Sequence, residues 1–404
     1  MKNNIPQGYK ATALGIIPQE WEVMRLGDIV SITSGESPSL YHLKAEGKYP
    51  YVKVEDLNNC EKYQKSSREY SDDNNTTIKA GSIIFPKRGA SILNNKVRIA
   101  AKDIQMDSNM MAITPHTAIV DTEFLYIRIL HERLYRIADT SSIPQINNKH
   151  IIPYKIAVPP LAEQRKIAEV LGVWDEAIEK QARLIEKLAL RKRALMQRLL
   201  SAKLRLPGFS EPWQKVNYSD ILKEVRRTLI WDENELYDLI SVRRRSGGVF
   251  HRESLYGHEI KTKTLRPALD GDFLISKMQI VHGASGVVQK QLSGMKISGS
   301  YIALIAKDPK KLNINYFNLW SQMPMFYHQT FVSSYGVHIE KMTFDLDAFM
   351  SLSMNLPPIE EQNRIVEVIS TATEEIELAK EKLEHLRRQK RGLMQQLLTG
   401  KKRI

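Results

Sequence analysis

The 404-residue sequence contains one cysteine, Cys60, so no internal disulfide can form, and it shows no Cys/His cluster with zinc-site spacing. It also lacks any run of about eighteen apolar residues, which excludes a membrane-spanning helix. The opening MKNNIPQGYK carries no apolar stretch of the kind a secretory leader needs. Together these absences point to a reducing cytoplasm. Catalytic signatures are missing too. There is no G-x-x-x-x-G-K-[ST] phosphate loop, no G-x-G-x-x-G turn, no H-E-x-x-H zinc helix and no Asn-Pro-Pro-aromatic tetrapeptide of the adenine-methyltransferase kind. Asp238 with Glu259-Ile260-Lys261 loosely imitates the D…E-x-K of metal-dependent nucleases, a spacing common by chance, and His251, His258, His282 and His338 read as ordinary histidines. Acidic residues fall short of basic ones, 46 against 59, leaving a net charge of +13. Such a surface seeks polyanions, with nucleic acid ahead of an anionic membrane. With 42% hydrophobic and 26% charged residues the composition is that of a folded chain, long enough for two or three domains.

What the sequence does have is a repeat. Residues 159–200 (PPLAEQRKIAEVLGVWDEAIEKQARLIEKLALRKRALMQRLL) return 198 positions later as 357–398, identical at 19 of 42 positions without a gap. A fainter echo precedes each copy, where Trp21, Asp28 and Ile29 recur as Trp213, Asp220 and Ile221. Each half is therefore a globular segment followed by one long helical segment, and PGFSEPW after Leu206 is the turn-rich joint.

The repeated segments are helical by periodicity. Ile167, Leu171, Trp174, Ile178, Ile185, Leu188 and Leu195 step by alternating fours and threes, with Gln181 and Lys192 in the two missing positions. Ile365, Ile369, Ile376, Leu383, Leu386 and Leu393 repeat the stripe, and Leu199 and Leu397 extend it. The Pro-Pro pair sets each start, and Gly400 ends the second copy. Two matched apolar stripes in one chain are natural partners. Both helices begin acidic (Glu163, Glu169, Asp175; Glu361, Glu367, Glu374) and end basic (Arg191, Lys192, Arg193; Arg387, Arg388, Lys390), so antiparallel pairing opposes acid to base. The globular parts would then lie at opposite ends of a rod of roughly 60 Å, suited to two half-sites on one duplex.

Within the globular halves, SIIFPK (82–87), DFLISK (272–277) and YIALIAK (301–307) read as strands. GSIIFPKRGAS and GDFLISKMQIVHGASG share a glycine, an apolar strand, a lysine and a Gly-Ala-Ser turn, so Lys87 and Lys277 are equivalent candidates for DNA contact. Arg243, Arg244 and Arg245, before Ser246-Gly247-Gly248, form a loop suited to phosphate or guanine recognition, and Arg88, Lys96 and Arg98 are their counterparts. Gln145, Asn147 and Lys149, like Tyr335 and His338, precede the long helices and are candidates for reading base edges.

These motifs resemble the specificity (S) subunit of type I restriction-modification systems. The opening GYKATALGIIPQEWEVMRLGDI, the twice-used PP[LI]xEQxxI leading to a helix that ends KRxLMQxLL, and GDFLISKMQ carry the likeness over essentially the whole chain. The resemblance implies an α+β fold with two pseudo-twofold-related target recognition domains at opposite ends of an antiparallel two-helix coiled coil. Residues 1–152 and 207–350 would be the recognition domains, and 153–206 and 351–404 the conserved long helices. It implies a non-catalytic subunit of a DNA adenine methyltransferase and restriction endonuclease complex in a bacterial or archaeal cytoplasm, associated with the nucleoid. Each domain would read one half of a bipartite site with a fixed gap, on double-stranded DNA, and the chain would scaffold two methyltransferase (M) and two restriction (R) subunits. No cofactor or metal is implied in this chain; S-adenosylmethionine, ATP and Mg would belong to the partners. Two other classes remain open on residues alone: a protein-binding adaptor joined by its coiled coil, and a nuclease built on Asp238.

Overall fold

The computed structural model describes residues 5–140 and 142–404; the reading of the first ten residues falls partly on residues 1–4, outside them. The chain forms two compact units. The first comprises residues 1–182 and 381–404, and the second residues 183–380.

In the first unit the central sheet runs in the order Val30–Ser34, Met110–Pro115, Ile83–Pro86, Arg98–Ala100, Tyr63–Gln64. Its pairings are antiparallel except the last. Ile83–Pro86 is buried throughout because alternate side chains enter different cores: Ile83 and Phe85 join the cluster around Trp21, and Ile84 joins Val52, Ala100 and Met110 on the other face. The second unit repeats the device. Phe273–Ser276 lies between Tyr301–Ala306 and Ser285–Val287, with Phe273 and Ile275 in one core and Leu274 in another. The three segments read as strands from their apolar runs are these central strands. A second sheet of this unit pairs Leu236–Val242 with Val249–Tyr256 as a hairpin whose turn carries Arg243–Ser246.

A short antiparallel pair in each unit ties the start of the globular part to the approach to its helix: Glu22–Arg25 with Lys155–Val158, and Gln214–Asn217 with Ser353–Leu356. These pairs account for the fainter repeat around Trp21 and Trp213. The helices follow as Leu161–Leu200 and Ile359–Leu398, 40 residues each. Both begin just after a Pro-Pro pair, where a missing N–H costs no helical hydrogen bond.

In the first unit, the N-terminal part of the first helix packs on the C-terminal part of the second. Ile167 and Leu171 share a core with Leu397 and Leu398, and Asp175 pairs with Lys390. In the second unit, Leu188 packs with Ile376 and Ala379, Leu199 and Leu200 join Ile365 and Ile369, and Arg191 faces Glu375 at 3.9 Å. In both units residue numbers rise along one helix as they fall along the other, so the helices pair antiparallel, with acid opposite base as the charge distribution predicts. Of the predicted stripe, Ile167, Leu171, Leu188, Ile365, Ile369, Ile376 and Leu383 are buried, and Trp174, Ile178, Ile185, Leu195, Leu386 and Leu393 are half-buried. Truncating Leu397, 0% exposed in this packing, to alanine removes roughly 2–5 kcal/mol in urea denaturation. Leu378→Ala, at a position 65% exposed, changes little; equal effects would mean that the helix pairing is not a core.

Each helix end is held by the same constellation. The Glu163 carboxylate accepts from the Trp21 indole at 3.0 Å and, through both oxygens, from the Arg403 guanidinium at 2.6 and 2.9 Å. Glu361 accepts likewise from Trp213 at 2.9 Å and from Arg205 at 2.7 and 2.9 Å. Arg205 and Arg403 are themselves 198 residues apart. The next residues, Gln164 and Gln362, staple the adjoining loops: each side-chain amide donates to a proline carbonyl and a loop carbonyl while its oxygen accepts a backbone N–H. Beyond the second helix Gly400 has φ +70°, and a side chain there would meet Pro18 at 2.3 Å, so this position requires glycine.

Candidate nucleic-acid interface

Lys87 and Lys277 sit one residue beyond equivalent strands, and their backbones are held alike. Lys87 donates its N–H to Asn109 O, and its carbonyl accepts from Ile146; Lys277 donates to Ser300 O and accepts from Phe344. Both are half-buried. Burial and the neighbouring Arg88 hold the Lys87 ammonium below the usual lysine range. Lys277 opens onto a cleft of about 510 Å³ with Arg226, Arg227 and Arg266. Those arginines are anchored: Arg226 pairs with Glu224, Arg227 with the buried Asp272, and Arg266 donates to Tyr301 O. The cleft is therefore lined by Lys277 together with arginines that already have partners of their own.

The arginine turn divides its tasks. Arg243 lies over the Phe250 ring at 4.1 Å, and Arg244 donates to Gln279 and pairs with Glu340 at 2.9 Å. Arg245 and Ser246 adopt left-handed φ of 58° and 55°, held by N–H bonds to His282 O and Gly283 O at 2.7 and 2.8 Å. All three arginines are exposed. In the first unit Arg88 is exposed and Lys96 half-buried, whereas Arg98 donates to the carbonyls of Cys60, Val97 and Leu57 at 2.7–2.8 Å and works as an internal strut.

Gln145 bridges backbone to backbone with both Arg88 and Asp139, which brings it beside the Lys87–Arg88 strand end. Asn147 precedes the short helix Asn148–Ile151, where its N–H donates to His150 Nδ1 at 3.1 Å, and Lys149 is exposed on that helix. Tyr335 and His338 are exposed on the hairpin formed by Ser334–Tyr335 and Thr343–Phe344, whose Phe344 N–H donates to Lys277 O. Periodicity gave no signal for two exposed apolar side chains in these segments, Ile143 at 64% and Val337 at 96%. Asp238 accepts from Ser254 Oγ, and Glu259 accepts from the Tyr256 N–H at 2.8 Å. Among the described residues no group of three His, Cys, Asp or Glu side chains is placed to hold a metal ion, and no helix is long and apolar enough to cross a membrane.

The family model for the type I restriction modification DNA specificity domain matches residues 18–189 and again 210–388. The MjaVIII type I restriction enzyme specificity subunit of Methanocaldococcus jannaschii is 23% identical over 429 residues, spanning 96% of this chain and 94% of that protein. The EcoDI specificity subunit of Escherichia coli is 28% identical over 194 residues, 45% of this chain and 41% of that one. The fold is shared with solved structures. A chain from a study of complex assembly and conformational transition of the type I R-M system superposes with TM-score 0.63 at 17% identity, over 95% of this chain and 99% of that one. The S subunit from M. genitalium gives 0.54 at 14% identity, over 98% and 97%. Matched in both halves by one family model, this chain belongs to the type I restriction-modification specificity subunits, proteins of DNA sequence recognition.

Proposed function

We propose that each recognition module, residues 1–152 and 207–350, reads one half of a bipartite DNA site. Segments 153–206 and 351–404, which carry the paired helices Leu161–Leu200 and Ile359–Leu398, fix the gap between the halves. The observation that carries this is the duplication of the candidate site itself: Lys87 and Lys277 stand at matching strand ends with matching backbone partners, one in each unit. Two similar readers on one chain suit two half-sites, whereas an adaptor has no need of a repeated cationic strand end.

Phosphate contacts supply most of the affinity and base edges the discrimination. Arg88, Lys96, Arg243, Arg244 and Arg245 serve the former, with Lys87 and Lys277 where backbone meets groove, and Gln145, Asn147, Lys149, Tyr335 and His338 serve the latter. Arg98 falls outside the DNA-facing set because its donors already bond carbonyls. The chemistry belongs to partners: two M subunits methylating adenine with S-adenosylmethionine, and two R subunits using ATP and Mg. This chain is their non-catalytic scaffold. Such a subunit holds a duplex distorted enough for a partner pocket to accept the flipped adenine.

The test is co-expression with the M subunit in a methylation-free host, followed by single-molecule sequencing for N6-methyladenine. The expected result is a split motif with one fixed gap, absent when this chain is omitted. A stable complex that leaves no methylation would favour the adaptor.

A further inference from the structure

The repeat places a lysine at the same point of both helices, Lys192 and Lys390, each followed by arginine and, four positions on, by methionine. Each lysine lines a concavity between its own helix and the globular part of its own unit. The two concavities differ in charge. In the first unit the cleft of about 820 Å³ holds Lys62, Lys65 and Lys390 against five carboxylates, Glu61, Glu169, Asp175, Glu176 and Glu179. Lys390 is paired there with Asp175. The position 198 residues beyond Asp175 is Thr373, so Lys192 loses the equivalent partner.

The second unit's cleft, about 440 Å³, is lined by Lys192, Arg193 and Arg245 with no carboxylate among its described lining residues. Burial holds the Lys192 ammonium below the ordinary lysine range, with Lys380 adding to the fall and Glu377 offsetting part of it. The cleft wall is built rather than loose. Ser246 Oγ meets Tyr327 OH at 2.7 Å, and Gly283, with φ +73°, leaves room for that ring where a side chain would meet the tyrosine oxygen at 2.1 Å. Arg245, whose left-handed backbone is fixed by its N–H bond to His282 O, lines the cleft, whereas Arg243 and Arg244 of the same turn do not.

Three cationic residues lining a concavity whose described lining holds no carboxylate leave a site for an anion. We propose that this cleft seats a backbone phosphate of the duplex read by the second module, so that helix residues Lys192 and Arg193 clamp DNA directly. This inference rests on the DNA-reading function proposed above. DNA is favoured over an acidic partner segment by continuity: Arg245 belongs to the turn whose other two arginines are exposed, with Arg244 paired to Glu340 on the hairpin that carries Tyr335 and His338. A phosphate anchor there positions the duplex and carries no sequence information.

The experiment uses the full chain in complex with M subunits and measures affinity against salt concentration for a cognate and a scrambled duplex. Lys192→Met with Arg193→Gln keeps the half-buried stem and helix propensity. It is expected to weaken both duplexes by a similar factor, to lower the salt slope by about 0.9 for each phosphate no longer neutralised, and to leave the methylated motif unchanged. Gln197→Glu, isosteric and on the same cleft, adds an anion while keeping all three cations and should weaken both duplexes in the same way. Unchanged affinity and slope in both variants would overturn the phosphate site, and loss of M-subunit binding would assign the cleft to a protein partner instead. A wild-type complex that binds neither duplex would overturn the functional proposal, and this one with it.

Discussion

Glu361→Ala is expected to cost roughly 3 kcal/mol and to loosen the second unit first. The carboxylate is 1% exposed and takes three hydrogen bonds, two from Arg205 and one from the Trp213 indole. Removing it leaves a guanidinium that is 24% exposed with only the Glu211 carbonyl to accept from it, beside an indole N–H with no acceptor. Breaking a buried pair from one side costs more than the pair contributes in net terms, because the remaining charge keeps its desolvation penalty. Glu361→Gln retains an acceptor and should lose about half as much. Urea denaturation followed by tryptophan fluorescence reads both, since Trp213 reports on the site, and Glu360→Ala on the exposed side of the same turn provides the comparison. If Glu361→Ala and Glu360→Ala cannot be told apart, the constellation is not what holds the helix end.

The second large effect is on specificity. Seven residues inserted between Ala182 and Arg183, and seven more between Lys380 and Glu381, add one heptad to each helix where the two compact units divide. A heptad lengthens a helix by roughly 10 Å, about three base pairs of duplex. On the proposed function, the methylated motif should keep both half-sites while its preferred gap grows by up to about three base pairs. Sequencing of methylated genomes measures the gap directly. A gap that stays fixed would mean that the helices do not set the distance between readers.

Much of this architecture was legible because duplication and periodicity act over many residues at once. The apolar stripe needed only its spacing, and the antiparallel direction needed only the acidic starts and basic ends of both helices. Local signals also sufficed for the central strands, whose apolar runs are buried on both faces. Side-chain partnerships were less legible. Arg98 looked like any exposed cation, and nothing in VRIA announces that its guanidinium crosses to carbonyls at Leu57 and Cys60. Glu163 and Glu361 read as acids favouring a helix start, and their constellations emerge only when Trp21 and Arg403, distant in sequence, are brought together. The matched positions of Arg205 and Arg403, just past the aligned blocks, were the available hint. The cationic cleft depends on the backbone of Arg245–Ser246 and on what Thr373 fails to supply, and neither belongs to a sequence pattern.

The first compact unit is discontinuous, closing on Leu397, Leu398 and Arg403 only after the whole second unit has been made. Translation adds about 5–20 residues per second, so Ile167 and Leu171 wait roughly 11 to 46 seconds for their packing partners. The second unit, whose two helix segments lie within one continuous stretch, has all its residues once Lys380 is added, 17 positions before Leu397. The chain thus holds a second unit with all its residues while the first unit still has an open apolar seam. A chaperone or a neighbouring nascent chain would meet that seam first, and the order of assembly in the cell would run from the second module to the first, opposite to the order of synthesis.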